Sequence, residues 1–440
     1  MAQFAIHPIH RFHGQSQPVR RPREFTCFSY DDAHALHLDD RSLRWYYPPQ
    51  FPQGLDLSRG FETFAKHDDD GVDEHLDSLL AAVAAHEQTT GAKIDAQVLT
   101  WRGMMTKKIM ATPYDDRDGF EMNATFYQGC IFIEENHAYK VACRRDQEAR
   151  QNRPPPRQHP ERPWFPPDVM SYWGYKFEAL ATLPRPWGDV SRDEIEARDD
   201  APVSNKAQYC SVVRTGIGST LLCLGGEVDA VWDAKPQSTN QPQKQTQTQK
   251  QKQQPPIHWV ELKTSADIQS ERDLELFEKK LLKFWIQSFL LGVPTIVVGF
   301  RSRQGRLVRL EEIATEGIPG TVRQRAAQAQ RPPPWDGDTC INFASAFLAW
   351  LRETMTTGAD GSEGSDGVWR IRRRAGSPEI ELFKVEETGH GRILPDSFLN
   401  WRIKLALGVD TTSGAAEDRA GPDDSSSGPS DPVLGGESGS

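Results

Sequence analysis

The stretch Gly225–Ala230 (GGEVDA) follows an apolar run, STLLCL, that has the composition of a buried β-strand. A second run of the same kind, Ile257–Lys263 (IHWVELK), comes later in the chain. Side chains two positions apart on a strand project from the same face. If the two strands are neighbours, three carboxylates and one ammonium meet on one patch, namely Glu227, Asp229, Glu261 and Lys263.

Such a patch needs compensation, because burying three like charges together is unfavourable unless something neutralises them. A hard divalent cation does so, and Mg²⁺ or Mn²⁺ binds carboxylate oxygens readily. The pattern therefore predicts a divalent metal site. The same residues would also fit two solvated strand edges joined by a surface salt bridge, so this alternative stays open at this point.

Helical and strand-like segments alternate around these two runs, which favours an α/β fold with a large mixed β-sheet and flanking helices. Apolar spacing predicts helices over Val72–Glu87, Val169–Ala181 and Ser270–Leu291. Further strands are predicted over Ala96–Trp101, Thr125–Ile133, Gln208–Arg214 and Thr295–Phe300. The segment Arg41–Pro49 (RSLRWYYPP) mixes basic and aromatic residues, which fits either stacking on RNA or packing in the core.

The chain has 440 residues, 37% hydrophobic residues and a net charge of −10. We expect a flexible N-terminus (1–24), a single domain (25–407) and a disordered acidic tail (408–440). Low-complexity insertions are expected at 144–163, rich in Pro and Arg, and at 236–256, rich in Gln and Lys. The second should interrupt a hairpin. The six cysteines form no CxxC pair, and no run is long enough to span a membrane.

Several longer motifs, together with the spacing of the acids, indicate which protein family the chain resembles. The spacing from Asp229 to Glu261-x-Lys263 is similar to the D…(D/E)xK signature of PD-(D/E)xK nucleases. The chain as a whole resembles the decapping exoribonuclease (DXO) family over roughly Phe25–Trp401, including the fungal nuclear branch that binds a 5′–3′ exoribonuclease. The strings that carry this resemblance are TWRGMMTKKIMATPY, GYKFE, YCSVVRTGIG, GGEVDA, VELKTS, KLLKFWIQSFLLGVP and VVGFR.

The resemblance implies a role for each matching position. The metal site, expected to hold two Mg²⁺ or Mn²⁺ ions, would be formed by Glu178, Glu227, Asp229, Glu261 and the backbone carbonyl of Leu262. Lys263 and Gln287 would contact the scissile phosphate and the attacking water. Arg102, flanked by Trp101 and Gly103, would meet the RNA 5′ end. Glu74 and Cys210 would line the substrate pocket, together with Glu227, Lys263 and Gln287.

The implied function is metal-dependent hydrolysis of RNA 5′ ends in the nucleus. The substrates would be RNAs with a 5′-triphosphate, an incompletely methylated cap or an NAD cap. Two alternatives are a DNA-cutting nuclease of the same fold and a non-catalytic stabiliser of the exoribonuclease partner. A broad basic surface would favour DNA, whereas a purely structural module has no need of clustered carboxylates. Val212–Ile217 (VVRTGI) and its neighbouring strand are the candidates for contact with the partner.

Overall fold

A computed structural model of the protein describes residues 1–50, 54–68, 70–115, 117–151, 164–235, 256–357 and 366–408. The helices in these ranges are α1 (Asp77–Thr90), α2 (His137–Gln151), α3 (Pro167–Ala181), α4 (Arg192–Glu196), α5 (Glu271–Leu291), α6 (Ile318–Gln328), α7 (Gly337–Thr356) and α8 (Asp396–Ala406). The strands are β1 (Ala2–Ala5), β2 (Val19–Tyr30), β3 (Leu36–His37), β4 (Trp45–Tyr46), β5 (Val98–Trp101), β6 (Phe120–Tyr127), β7 (Cys130–Glu135), β8 (Thr182–Leu183), β9 (Gln208–Ile217), β10 (Thr220–Glu227), β11 (Ala230–Val231), β12 (Trp259–Ala266), β13 (Thr295–Arg301), β14 (Leu307–Ala314), β15 (Val368–Arg373) and β16 (Glu379–Glu386).

These strands form two sheets, so the predicted α/β class with a large mixed sheet is confirmed and refined. Ten strands follow the order β1-β16-β15-β6-β7-β5-β10-β9-β2-β3, in which β5 runs parallel to both of its neighbours. Six strands follow the order β14-β13-β12-β11-β4-β8. The chain passes from the larger to the smaller sheet between β10 and β11. The strands that carry Glu227 and Glu261 therefore lie in different sheets rather than side by side.

Two helices cover the smaller sheet and bring its polar residues into position. The long helix α5 connects β12 to its parallel neighbour β13. It begins at the cap residue Ser270, whose hydroxyl accepts a hydrogen bond from the Asp273 amide, and it ends at Gly292 in the left-handed region. Helix α3 packs on β12, and its apolar face shares a buried cluster with Val260 and Leu262. Among the helices of the described ranges, none is both long and apolar enough to cross a bilayer.

The N-terminus is ordered, which makes the prediction of a flexible segment over 1–24 wrong. Strand β1 pairs antiparallel with β16, and Phe4 and Phe12 are buried. The Phe4 ring meets Phe343 and Phe347 of α7 with centroids 5.6 and 5.5 Å apart. A four-residue edge strand gives almost no periodic signal, so its stability comes from these distant partners.

The predicted single strand over Thr125–Ile133 is in fact a hairpin of β6 and β7. The chain turns at Gln128 and Gly129, which both have positive φ, 46° and 82°. Two successive left-handed residues are the geometry of the tightest hairpin turns. The Gly was visible in the sequence, but it lies between two apolar runs that together look like one strand.

The structure describes part of the first predicted low-complexity insertion, 144–163, and almost none of the second, 236–256. Helix α2 continues to Gln151, so the first residues of the segment 144–163 are helical instead of irregular. Residues 152–163, 236–255 and 409–440 lie outside the described ranges. The two strands that flank the Gln-rich segment, β11 and β12, do pair antiparallel, as the hairpin prediction requires.

The candidate segment for partner contact, Val212–Ile217, is an interior part of the larger sheet. It belongs to β9, which is paired on one side with β10 and on the other with β2. Only Arg214 is exposed, and its side chain is bonded to Asp95. Arg214 is therefore the part of this segment that could meet a partner from outside the sheet, and contact with the exoribonuclease stays a prediction.

Replacing residues 236–256 by a short turn should leave the free energy of unfolding nearly unchanged. The strands on either side of it, β11 and β12, pair antiparallel, and the length of a loop between two paired strands has only a weak effect on stability. Lys235 should be kept, because its ammonium is 3.0 Å from Glu24 and 2.7 Å from the Tyr209 hydroxyl. Urea denaturation of both proteins checks this. A clearly lower midpoint for the shortened protein would show that the segment packs against the domain.

Candidate active site

Glu261 is the centre of the site. It is fully buried on β12. Its Oε1 accepts hydrogen bonds from Lys263 Nζ and, at 2.5 Å, from Gln287 Nε2 of α5. Its Oε2 accepts one from Arg102 Nη1 at 3.3 Å. Four of the residues singled out in the sequence thus meet at a single carboxylate, although they come from three separate parts of the chain.

The other three acids line a neighbouring cavity of about 160 Å³. Glu178 lies in the last turn of α3, and Glu227 is the last residue of β10. Asp229 lies in the link between the two sheets, where its Oδ2 accepts a hydrogen bond of 2.6 Å from the Leu262 amide. The two acids of GGEVDA therefore share a cavity because the chain changes sheet here, and not because they alternate along one strand.

The carboxylates of the site differ in charge state. Burial, followed by the charges of Asp229 and Glu227, raises the pKa of Glu178 well above its usual value. Burial and the charge of Glu261 raise the pKa of Asp229 to about 8. Burial would also raise the pKa of Glu261, but the Lys263 and Arg102 cations outweigh it and lower that pKa. Of Glu178, Asp229 and Glu261, only Glu261 has its pKa lowered by the cations of the protein.

This unbalanced set of oxygens fits a divalent cation. A metal ion near Glu178 and Asp229 would favour the ionised carboxylates that burial and mutual repulsion disfavour. The donors are all hard oxygen atoms, which suits Mg²⁺, Mn²⁺ or Ca²⁺ and not a thiolate-seeking metal. The predicted donor residues are thus brought together, and the alternative of solvated strand edges is excluded by the burial of Glu261.

Arg102 packs directly against Gly226, the residue that precedes the acid Glu227. A Cβ atom on Gly226 would lie 2.9 Å from the Arg102 Cβ and 3.0 Å from Leu291 Cδ1. At Gly225 it would lie 2.9 Å from a Leu79 methyl group and 3.1 Å from the Trp101 ring. The two glycines of GGEVDA are therefore the reason that the Trp101–Arg102 segment can pack so close to β10.

The predicted substrate-binding residues Trp101, Gly103 and Glu74 lie beside Arg102 or on the neighbouring loop. The indole Nε1 of Trp101 donates a 3.0 Å hydrogen bond to the His75 carbonyl, which fixes the loop that carries Glu74. Glu74 is half-exposed, and its Oε1 is 3.0 Å from His34 Nε2. A Cβ at Gly103 would meet no atom within 4 Å. Their contact with substrate stays a prediction.

Cys210 lies next to the acids but is buried. It stands opposite Glu227 in the β9–β10 ladder. Burial and the Glu227 charge raise the pKa of its thiol well above the usual value. The group is therefore a neutral thiol, which fits a residue that lines the pocket and excludes an activated nucleophile.

The sequence reasoning missed Arg44, which lines the same cavity as the three acids. Its Nε donates a 3.1 Å hydrogen bond to Thr182 Oγ1. Burial lowers its pKa, while Asp32 and Glu178 act in the opposite direction. The signal was present in RSLRWYYPP, but of its aromatic residues Trp45 and Tyr46 form β4 and Tyr46 is buried. Trp45 and Tyr46 thus pack with the core. Arg44, the residue that precedes them, lines the cavity of the acids instead.

The chain matches a known nuclease family. The family model described as "RAI1 like PD-(D/E)XK nuclease" matches residues 20–399 of the chain. Decapping nuclease RAI1 of Neurospora crassa is 58% identical over 92% of this chain and 88% of its own length. Decapping nuclease din1 of Schizosaccharomyces pombe is 36% identical over 77% of this chain and 88% of its own length.

Solved structures agree with the sequence comparison. The structure of Candida albicans Rai1 in complex with pU5-Mn²⁺ has a TM-score of 0.75 and 29% identity, and it covers 92% of this chain and 100% of its own. Scheffersomyces stipitis Rai1 in complex with (3′-NADP)⁺ and calcium ion has a TM-score of 0.76 and 28% identity, with the same coverage. The family match runs from β2 into α8 and includes the positions of all four acids, and the chain therefore belongs to the RAI1-like PD-(D/E)XK nuclease family.

Proposed function

We propose that this protein is a divalent-metal-dependent hydrolase of RNA 5′ ends. It removes pyrophosphate from 5′-triphosphate RNA, the cap dinucleotide from incompletely methylated caps, and NAD from NAD-capped RNA. The observation that carries the proposal is the buried Glu261, which is held by Lys263, Gln287 and Arg102 beside three further acids.

The relatives support the class of reaction and of substrate. Those named above are decapping nucleases. One solved relative holds pU5 with Mn²⁺, and another holds (3′-NADP)⁺ with calcium. A short 5′-phosphorylated RNA and a dinucleotide related to NAD both suit the ends that we propose as substrates.

The chain's residues divide the work between holding metal and holding phosphate. Glu178, Glu227, Asp229, Glu261 and the Leu262 carbonyl would bind two divalent ions. When bound, the ions would polarise the scissile phosphate and activate water. Lys263 and Gln287 keep Glu261 in place and present N–H groups toward the phosphate. Arg102 offers its guanidinium to the charge that develops in the transition state.

Product analysis tests the proposal. RNAs that carry a labelled 5′-triphosphate, an unmethylated cap or an NAD cap are incubated with the protein and Mg²⁺ or Mn²⁺. We expect pyrophosphate, the cap dinucleotide and intact NAD, respectively. Further shortening to mononucleotides would add 5′–3′ exonuclease activity. Folded protein that releases no product with either metal would contradict the proposal.

Substituting Gly226 by Ala should lower the rate of pyrophosphate release by about 100-fold, since small misplacements of a positioned group cost about this much. The added methyl group meets the Arg102 Cβ at 2.9 Å and pushes that segment away from Glu261. Gly174→Ala is the matched control, because a Cβ there meets no atom within 4 Å. Equal rates for the two variants would show that the position of Arg102 does not matter.

We further propose that the protein acts in the nucleus and supports a partner 5′–3′ exoribonuclease in RNA 5′-end quality control. Removing the acids should then abolish hydrolysis without affecting the stimulation of the exoribonuclease, because the two roles use different surfaces. The rate of RNA degradation by the exoribonuclease, with wild type or with Glu227→Gln/Asp229→Asn, measures this. Stimulation that disappears in a correctly folded acid variant would contradict separate surfaces.

A further inference from the structure

A groove of about 510 Å³ lies away from the acids, between the beginning of α3, the beginning of α5 and the end of β13. We call it the arginine groove. Its cationic lining is Arg272, Arg301 and Arg303. Of its aromatic lining, Trp164 and Phe165 are partly exposed, whereas Trp173 is buried beneath Arg301.

The charge of Arg301 is not compensated by the protein. Its guanidinium lies over the Trp173 ring, 4.2 Å from the centroid. Its Nε is buried and has no hydrogen-bond partner. Burial lowers its pKa, and burial together with the Arg301 charge lowers the pKa of nearby Lys280. A cation held in a partly buried place without an anion is unfavourable.

The other two arginines of the groove, Arg272 and Arg303, add to the positive charge beside Arg301. Within the described ranges, none of the salt bridges involves Arg272, Arg301 or Arg303. The acid in the lining, Asp273, accepts a 2.7 Å hydrogen bond from the Ser270 hydroxyl at the start of α5. The groove therefore carries net positive charge and would favour an anionic ligand.

Another cavity of the protein differs from the arginine groove in that acids pair with its cations. It has a volume of about 420 Å³ and includes Tyr175, which also lines the cavity of the acids. Its cations are paired, since Lys66 is 3.4 Å from Asp168 and Arg144 is 2.7 Å from Asp70. That cavity has no demand for an anion, so the arginine groove is the stronger candidate for a polyanion.

The aromatic side chains point to the kind of polyanion. Guanidinium groups bind phosphates, and Trp and Phe rings stack on unpaired bases. Proteins that bind single-stranded nucleic acids combine the two kinds of side chain. An acidic peptide would neutralise the arginines but would offer no base to stack on the aromatic side chains of the groove.

We propose that the arginine groove binds the single-stranded part of the RNA that lies downstream of the 5′ end. This rests on the proposed function, which places the 5′ end at Glu261. Arg272 and Gln287 are on the same helix and are roughly 22 Å apart along its axis by the helical rise. A dinucleotide held at the acids is too short to reach the groove, whereas a long RNA can extend to it.

The test compares substrate lengths in an Arg272→Glu/Arg303→Glu variant, in which both changes are at exposed positions. For a 5′-triphosphate RNA of about thirty nucleotides, we expect KM to rise about tenfold, because two phosphate contacts become repulsive. We expect kcat for this RNA, and both constants for a 5′-triphosphate dinucleotide, to stay within about twofold. The control is Arg325→Glu/Arg392→Glu, which makes the same change in net charge at two other exposed positions.

A KM for the long RNA equal to that of the control would overturn the proposal, as would an equal rise in KM for the dinucleotide. Fluorescence anisotropy with a 5′-hydroxyl RNA of the same length, without metal, separates this proposal from the proposed function. We expect the groove variant to bind this RNA about tenfold more weakly than the control, whether or not the protein hydrolyses any end. Equal RNA binding, together with loss of binding to a Glu-rich peptide, would assign the groove to an acidic protein and overturn the RNA proposal.

Discussion

Replacing Glu178 by Gln and Asp229 by Asn should abolish hydrolysis and yet raise the melting temperature of the metal-free protein. Both carboxyls have a raised pKa because they are buried next to other acids. Their amides keep the shape without the charge, and an Asn side-chain oxygen can still accept the hydrogen bond from the Leu262 amide. The double variant should lose at least about 10³-fold in kcat, because two anionic carboxylate ligands of the metal are replaced by neutral amides.

The pH dependence of stability follows from the same shifts. The folded protein keeps the Asp229 proton up to a pKa of about 8, whereas an unperturbed Asp has a pKa of 3.8. Between these values the folded state binds more protons than the unfolded state, so the free energy of unfolding of the metal-free protein should fall as the pH rises. The Asp229→Asn variant should have a flatter profile over this window.

Differential scanning calorimetry in EDTA measures both effects. The matched control is Glu312→Gln/Asp118→Asn, which removes two exposed acids elsewhere. A lower melting temperature for the site variant than for this control would show that the acids stabilise the metal-free fold. The account of their charge states would then be wrong.

Substituting Arg402 by Ala should destabilise the protein by about 3–5 kcal/mol, the usual cost of breaking a buried ion pair from one side. Arg402 on α8 is bonded to Glu87 on α1 by Nε and by Nη2, each at 2.8 Å, and both side chains are buried. Glu87 also accepts hydrogen bonds from the Trp401 indole at 3.0 Å and from the Ile94 amide at 2.9 Å. Without Arg402, the Glu87 charge would remain buried without its cation.

Urea denaturation gives the free energy of unfolding for this comparison. Arg192→Ala serves as the control, since it breaks an exposed pair with Glu196 on α4 and should leave stability nearly unchanged. A similar small effect for both variants would mean that α8 is not fixed to α1 by this contact.

The sequence predicted the central elements well because their signals are local. Ser270–Leu291 has helical spacing together with an N-cap residue and a terminal glycine, and α5 follows it closely. Thr295–Phe300 is a continuous apolar run, and β13 adds only Arg301. The edge strand β1 was missed because it depends on partners far away in the chain. The Gln128–Gly129 turn was missed because it lies between two apolar runs that together look like one strand.

The site was predicted as a set of residues but not as an arrangement. The short pattern around Asp229 and Glu261 identifies the acids. Arg102 meets Glu261 only because two sheets and α5 come together, and no local pattern encodes a contact between residues so far apart in the chain. Arg44 is similar, since the same basic and aromatic segment could pack in either of two ways.

The most direct test of the central claim follows pyrophosphate release from 5′-triphosphate RNA by EDTA-treated protein during titration with Mn²⁺. We expect no release without metal, release that saturates with Mn²⁺ for wild type, and none for a folded Glu227→Gln/Asp229→Asn variant at any Mn²⁺ concentration. Release by the EDTA-treated wild type, or equal release by the variant, would contradict the assignment of these acids to a metal-dependent active site.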